Sequence, residues 1–215
     1  MLFRRAAIII VAWAAMAGAA LADDAVDYFR ALQLDDDRTA RAVLARGLDP
    51  NLRDPERGET GLVIALRYDA MKVVGLLLAH PATRVDEQAP NGNTALMMAA
   101  FQKNKAAVLA LLDKGAQVNR PGWTALHYAA AAGDLDIMKL LLERHAYIDA
   151  ESPTGTTPLM LAAREGMEDA VALLLEEGAD ATLKDRAWGI DAAEFATRAL
   201  KPWIAERIRR HPARK

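Results

Sequence analysis

The sequence predicts an all-α solenoid, an array of about four full helical repeats closed by degenerate repeats at each end. Two observations carry this expectation. A short phrase is written twice: Thr124-Ala125-Leu126-His127-Tyr128-Ala129-Ala130 returns 33 residues after its start as Thr157-Pro158-Leu159-Met160-Leu161-Ala162-Ala163. Each copy runs on into a second apolar stretch, Ile137 to Leu142 and Ala170 to Leu175, and the second copy closes on Gly178-Ala179-Asp180. The opening of the phrase also recurs along the chain, as Gly58-Glu59-Thr60-Gly61-Leu62, Gly92-Asn93-Thr94-Ala95-Leu96, Gly122-Trp123-Thr124-Ala125-Leu126 and Gly155-Thr156-Thr157-Pro158-Leu159. A weaker version, Gly189-Ile190-Asp191-Ala192-Ala193, follows. The threonine-position residues step by 34, 30, 33 and 34. Self-similarity at a fixed period marks stacked copies of one supersecondary unit.

Residues 1–22 read as a signal peptide. Arg4 and Arg5 precede an apolar run from Ala6 through Ala17, and Ala20-Leu21-Ala22 places small residues where a signal peptidase reads. Cleavage is expected after Ala22, with export to the periplasm of a bacterium; an uncleaved membrane anchor is the alternative. Losing Arg4 and Arg5, with no acid in that stretch, takes the formal charge from −2 to −4. A near-neutral chain argues against nucleic acid, whose phosphates need a concentrated basic surface. The absence of cysteine rules out disulfides, thiolate metal sites and lipoprotein anchoring.

Residues 23–215 are expected to form one domain. The first cap, 25–57, reads as two short helices: Val26, Phe29, Leu32 and Leu34 supply one apolar face, Ala40, Val43 and Leu44 the other. Asp35-Asp36-Asp37 between them lacks the glycine and closing glutamate of a calcium loop and reads as a capping turn. Full repeats follow at 58–91, 92–121, 122–154 and 155–188, then a cap over 189–211. In each repeat a glycine takes the turn, and threonine accepts a backbone N–H at the helix start, worth about 1 kcal/mol. Pro158 sits where its missing N–H is harmless. Paired alanines admit close helix approach, and leucine runs such as Leu76 to Leu78 and Leu140 to Leu142 suit a helix buried between neighbouring units. One unit alone could not bury them.

These residues resemble the ankyrin repeat, with its period of 33 and T-P-L-H-x-A opening. Thr124 to Ala129 differs from that opening only at Ala125. The resemblance implies stacked helix pairs joined by protruding hairpins, with polar outer faces on the end units. Both ends fit. Asp23, Asp24, Asp27 and Asp35 to Asp37 make the first acidic, and Lys201, Arg207, Arg209, Arg210, Arg214 and Lys215 make the last basic. Head-to-tail association would exploit that difference, but the chain is expected to be a monomer. Departures from the family pattern are the missing histidine at Met97, His145 in place of a glycine, and a link from Gly115 to Thr124 about three residues short.

The sequence holds no catalytic constellation. G-x-S-x-G, a phosphate-binding glycine loop, G-x-G-x-x-G and H-E-x-x-H are all missing, and no two of His80, His127, His145 and His211 are spaced as helical neighbours. The resemblance gives His127 a structural role, binding backbone groups of adjacent turns. No cofactor and no metal is expected. Function is therefore read as non-catalytic binding of another protein, with an enzyme of unrecognised site as the alternative. The resemblance places binding on a concave surface of hairpin tips and first helices. The positions that the repetition leaves free are Arg57, Glu59, Arg67 and Tyr68; Asn91, Asn93, Phe101 and Gln102; Trp123; Thr154, Thr156, Arg164 and Glu165; and Trp188 and Ile190. Scaffold, protector, inhibitor and immunity factor all remain open.

Overall fold

The structure is a computed structural model and describes residues 22–211. The signal-like stretch from Met1 to Leu21, and Arg214 and Lys215, lie outside the described residues. The chain divides into two units, one ending at Arg84 and the other beginning at Val85. Among the described residues all regular structure is helical, apart from one antiparallel bridge between Arg53 and Thr60.

The first unit contains α1 (22–34), α2 (Asp37–Ala45), α3 (Gly61–Arg67) and α4 (Met71–Ala79). The expected apolar face of α1 is corrected here. The helix buries Tyr28, Ala31 and Leu32, while Val26 and Leu34 are exposed. At 3.6 residues per turn positions 28, 31 and 32 share a face that 26 and 34 do not. Tyr28 donates to the Pro50 carbonyl at 2.8 Å. Its ring fills the space of the missing Cβ of Gly61, which would lie 2.2 Å from the phenolic oxygen. That explains a glycine where the other repeats carry alanine or proline.

The three aspartates each hold a helix. Asp36 accepts from Thr39 N–H at 3.0 Å and caps α2. Asp35 accepts from Lys72 and Val73 N–H at 2.9 and 3.1 Å, serving α4, whose own N-cap residue is Ala70. Asp37 pairs with Arg41 at 3.6 Å. This cap is not simply acidic, since Arg30, Arg38, Arg41 and Arg46 are interleaved with the aspartates and Arg46 pairs with Asp24.

In the second unit the helices alternate between two rows. One row holds α5 (Ala95–Phe101), α7 (Ala125–Ala132), α9 (Pro158–Glu165) and α11 (Ala192–Arg198); the other holds α6 (Lys105–Asp113), α8 (Leu135–Glu143), α10 (Glu168–Glu176) and α12 (Pro202–Arg210). Each helix packs on the next in its own row and on its partner in the pair. Ala99, Ala100, Ala129, Ala130, Ala162 and Ala163 are fully buried in the first row. Larger side chains there would hold the helices apart. The leucine runs divide: α10 buries Leu173, Leu174 and Leu175, whereas α8 buries only Leu141 of its three.

Polar clamps set the register between layers. Asp86 accepts from Gln117 N–H, Asn119 from Tyr147 N–H and Asp149 from Asp180 N–H, at 2.9, 2.7 and 2.9 Å. Asn51 makes the corresponding bond to Arg84 N–H in the first unit, at 2.8 Å. The shortened link therefore keeps its place in the series, and Asn119 also donates to the His145 carbonyl at 2.7 Å. His145 adopts φ 63°, the left-handed turn that Gly115 and Gly178 make at the ends of α6 and α10. A Cβ in that conformation costs about 1 kcal/mol.

Candidate functional site

In the first unit Arg57 and Tyr68 are exposed and Arg67 is half-buried, but Glu59 is only 4 % exposed. Its carboxylate is taken by Arg67, whose Nε donates at 3.2 Å and whose Nη2 lies closer still. The reading of Glu59 as a contact residue is corrected: it is an internal anchor for Arg67. Asp54 builds the adjoining turn, accepting from the N–H groups of Glu56, Arg57 and Glu59 at 3.1, 2.8 and 2.7 Å. A hollow of about 90 Å³ lies beside them, with Phe29 and Tyr68 in its wall.

The second unit brings more of the sequence-selected residues together. Phe101, Trp123, Arg164 and Glu165 line one open hollow of about 430 Å³, with Tyr128, Ala131 and Leu161. The Phe101 and Tyr128 rings meet edge to face with centroids 6.1 Å apart, and Trp123 lies 6.4 Å from Tyr128. Such contacts hold the rings in place while leaving surface open; Phe101 is 52 % exposed. Trp123 is only half-buried and rests edge-on against His127 at 5.2 Å, so it is wall as much as contact. Arg164 also lines a second hollow of about 280 Å³ with Trp188, Ile190, Phe195, Arg198 and Ala199.

Several selected residues serve the hairpins instead. Thr156 is 6 % exposed; its N–H donates to Ser152 Oγ at 3.0 Å and its carbonyl faces His127 Nε2 at 2.9 Å. The contact reading of Thr156 is corrected accordingly, and Ile190, 9 % exposed, is floor. Asn93 accepts from the Tyr128 hydroxyl at 2.6 Å, and Asn91 accepts from Asn93 N–H at 3.1 Å. Thr154 is exposed but bonded to Ser152, and Gln102 is exposed at the end of α5. Tyr128, Leu161 and Phe195 were missed by the sequence reading. A signal existed for Tyr128: the same place is Met98 and Leu161 in the other copies, so its hydroxyl is a surplus polar group.

His127 is fully buried. Its Nδ1 receives the N–H and hydroxyl of Thr124 at 3.2 and 2.9 Å, which leaves the proton on Nε2 to bond the Thr156 carbonyl. Burial holds its pKa down to about 4, against the carbonyls of Thr156 and Ala150, which favour the charged ring. Burial likewise raises the Tyr128 hydroxyl, with Asn93 opposing. Among the described residues there is no cluster of three or more His, Asp or Glu side chains able to hold a metal, and no helix long and apolar enough to cross a membrane.

Comparison with known proteins agrees with this geometry. The family model for ankyrin repeats (3 copies) matches residues 28–121 and 118–185. The chain belongs to the ankyrin-repeat family. It is 37 % identical over 142 residues to SH3 and multiple ankyrin repeat domains protein 2 of Homo sapiens, covering 64 % of this chain and 8 % of that protein. It is 32 % identical over 152 residues to transient receptor potential cation channel subfamily A member 1 of Homo sapiens, covering 66 % and 14 %. A third relative, neurogenic locus notch homolog protein 4 of Homo sapiens, is 44 % identical over 93 residues, 41 % of this chain and 5 % of that protein. The chain thus spans a small part of each. Ankyrin repeats are in general protein–protein interaction modules, and that class describes this fold and surface.

Proposed function

We propose that this protein binds a partner protein through the aromatic face of its second unit, in the periplasm, after residues 1–22 are removed. The observation that carries the reading is the convergence of Phe101, Trp123, Tyr128 and Trp188 around Arg164 on two adjoining open hollows. Aromatic and arginine side chains dominate interface energetics, with truncations costing about 2 kcal/mol or more at the centre of a contact. The rings are fixed by their neighbours before binding, so little ordering cost is added. The shallow open hollows favour a gripped protein surface over an enclosed reaction site.

A photo-crosslinking amino acid at Phe101 in the exported protein tests it. A discrete protein adduct is expected from Phe101, and none from the exposed Lys139 on α8. Equal labelling from both positions, or from neither, would refute the reading. Determination of the mature N-terminus in a periplasmic fraction tests the location, with Asp23 the expected first residue.

A further inference from the structure

The hollow between α9 and α11 differs in chemistry from the one beside it. Its floor is apolar, made by Trp188, Ile190, Phe195 and Ala199, and the charged side chains on its rim are Arg164 and Arg198, with no carboxylate residue in the lining. The neighbouring hollow, in contrast, is lined by both Arg164 and Glu165. We propose that this hollow takes a bulky apolar side chain of an acidic segment of the partner protein, with the two guanidinium groups receiving its carboxylates. The proposal rests on the protein-binding reading above and names the chemistry of the bound segment.

The presentation of Trp188, the size of the hollow and the charges around it support the proposal. Trp188 is 63 % exposed, yet it is held on a pinned turn. Asp185 accepts from the N–H groups of Ala187, Trp188 and Ile190 at 3.1, 3.1 and 3.0 Å, and the Trp188 ring leans on Phe195 with centroids 5.8 Å apart. An aromatic group presented on rigid backbone loses little freedom when it is covered. The hollow's volume of about 280 Å³ accommodates one large side chain.

The rim charges are also available for exchange. Arg164 pairs with Glu165 at 2.9 Å and Arg198 with Glu194 at 3.2 Å, each within its own helix and with side chains about half exposed. Exposed pairs of this kind hold their partners weakly, so a carboxylate presented over an apolar floor can displace them. The wider field has the same sign. Residues 186–211 carry Arg186, Arg198, Lys201, Arg207, Arg209 and Arg210 against Asp191, Glu194 and Glu206. Glu151 and Glu168 from outside this range pair with Arg186 and Arg207, which leaves a small positive excess. That excess attracts an acidic segment and repels a basic one.

The test is selection of a random-peptide phage library on the purified protein. Peptides that place a bulky apolar residue beside aspartate or glutamate are expected. One such peptide, labelled with fluorescein, should bind about tenfold more weakly to the Arg164→Gln, Arg198→Gln double variant. Its affinity should also fall as salt rises, and the variant's thermal midpoint should stay unchanged. Recovery of basic or uncharged peptides, recovery of none, or unaltered affinity in the double variant would overturn the proposal. The Phe101 crosslink separates this failure from that of the broader reading: an adduct there leaves protein binding standing even when the bound segment is not acidic.

Discussion

Acidification should weaken this fold through His127. The imidazole is buried and neutral, held at a pKa of about 4 in the folded chain against 6.5 for the free side chain. The unfolded chain therefore binds the proton first as pH falls below 6.5, and the stability held by the neutral ring is lost progressively down to about pH 4. At 1.36 kcal/mol per pKa unit the loss between pH 7 and pH 4 is about 3 kcal/mol. Urea unfolding across that range measures it, with His127→Met as the reference. Methionine occupies the same place at Met97 and Met160, and Met160 Sδ receives the Thr157 N–H at 3.4 Å, so the substitution fits the helix start. The variant is expected to be less stable at pH 7, because the buried Thr156 carbonyl loses its donor, by about 1 to 3 kcal/mol. The gap should close towards pH 4. Parallel loss of stability in both proteins between pH 6.5 and 4 would refute the assignment of a buried neutral histidine, and unchanged partner affinity in the variant at pH 7 would fit its structural role.

Three further outcomes follow from packing and backbone geometry. Gly61→Ala should cost about 1 to 3 kcal/mol, because its Cβ would enter the Tyr28 ring, and less in a Tyr28→Phe background that lacks the phenolic oxygen. A double-mutant cycle by thermal unfolding reads the coupling, and additive effects would show that Tyr28 is not the obstacle. Leu200, 81 % exposed at φ 61°, should be replaceable by glycine with a gain of about 1 kcal/mol, whereas a loss would mean that its side chain packs on something. Arg67→Met should destabilise by about 3 kcal/mol by stranding the buried Glu59 carboxylate, and adding Glu59→Gln should recover much of it. Failure of that rescue would show that Arg67 contributes by packing alone.

The framework was legible because each of its features is a local rule repeated. Thr94 and Thr157 cap their helices with side chains 3.4 Å from the N–H groups of Met97 and Met160, and Ala129-Ala130 and Ala162-Ala163 are the close-approach positions they were read to be. The α1 face was misread because several registers are possible for a short helix of mixed polarity, and Tyr28 wins through its bond to Pro50, a partner 22 residues away. The candidate contact positions are those the repetition leaves free, but the sequence does not show which of them stay exposed. Glu59 and Arg67 were both selected, and only proximity reveals that they pair with each other.

The sequence by itself determined the all-α repeat fold and the capping of α5 and α9 by Thr94 and Thr157, since helix starts depend on residues a few positions apart. Thr60 makes no such bond, and the role that the family resemblance implies for His127 rests on a tie to Thr156, 29 residues on. Tertiary structure decided which free positions face outward together. Phe101, Tyr128 and Trp123 come from two successive repeats, and Arg164 and Trp188 from the beginning and end of the one that follows. Helices in one row bring residues about one repeat apart into contact, and the open or closed state of each side chain is set by that packing.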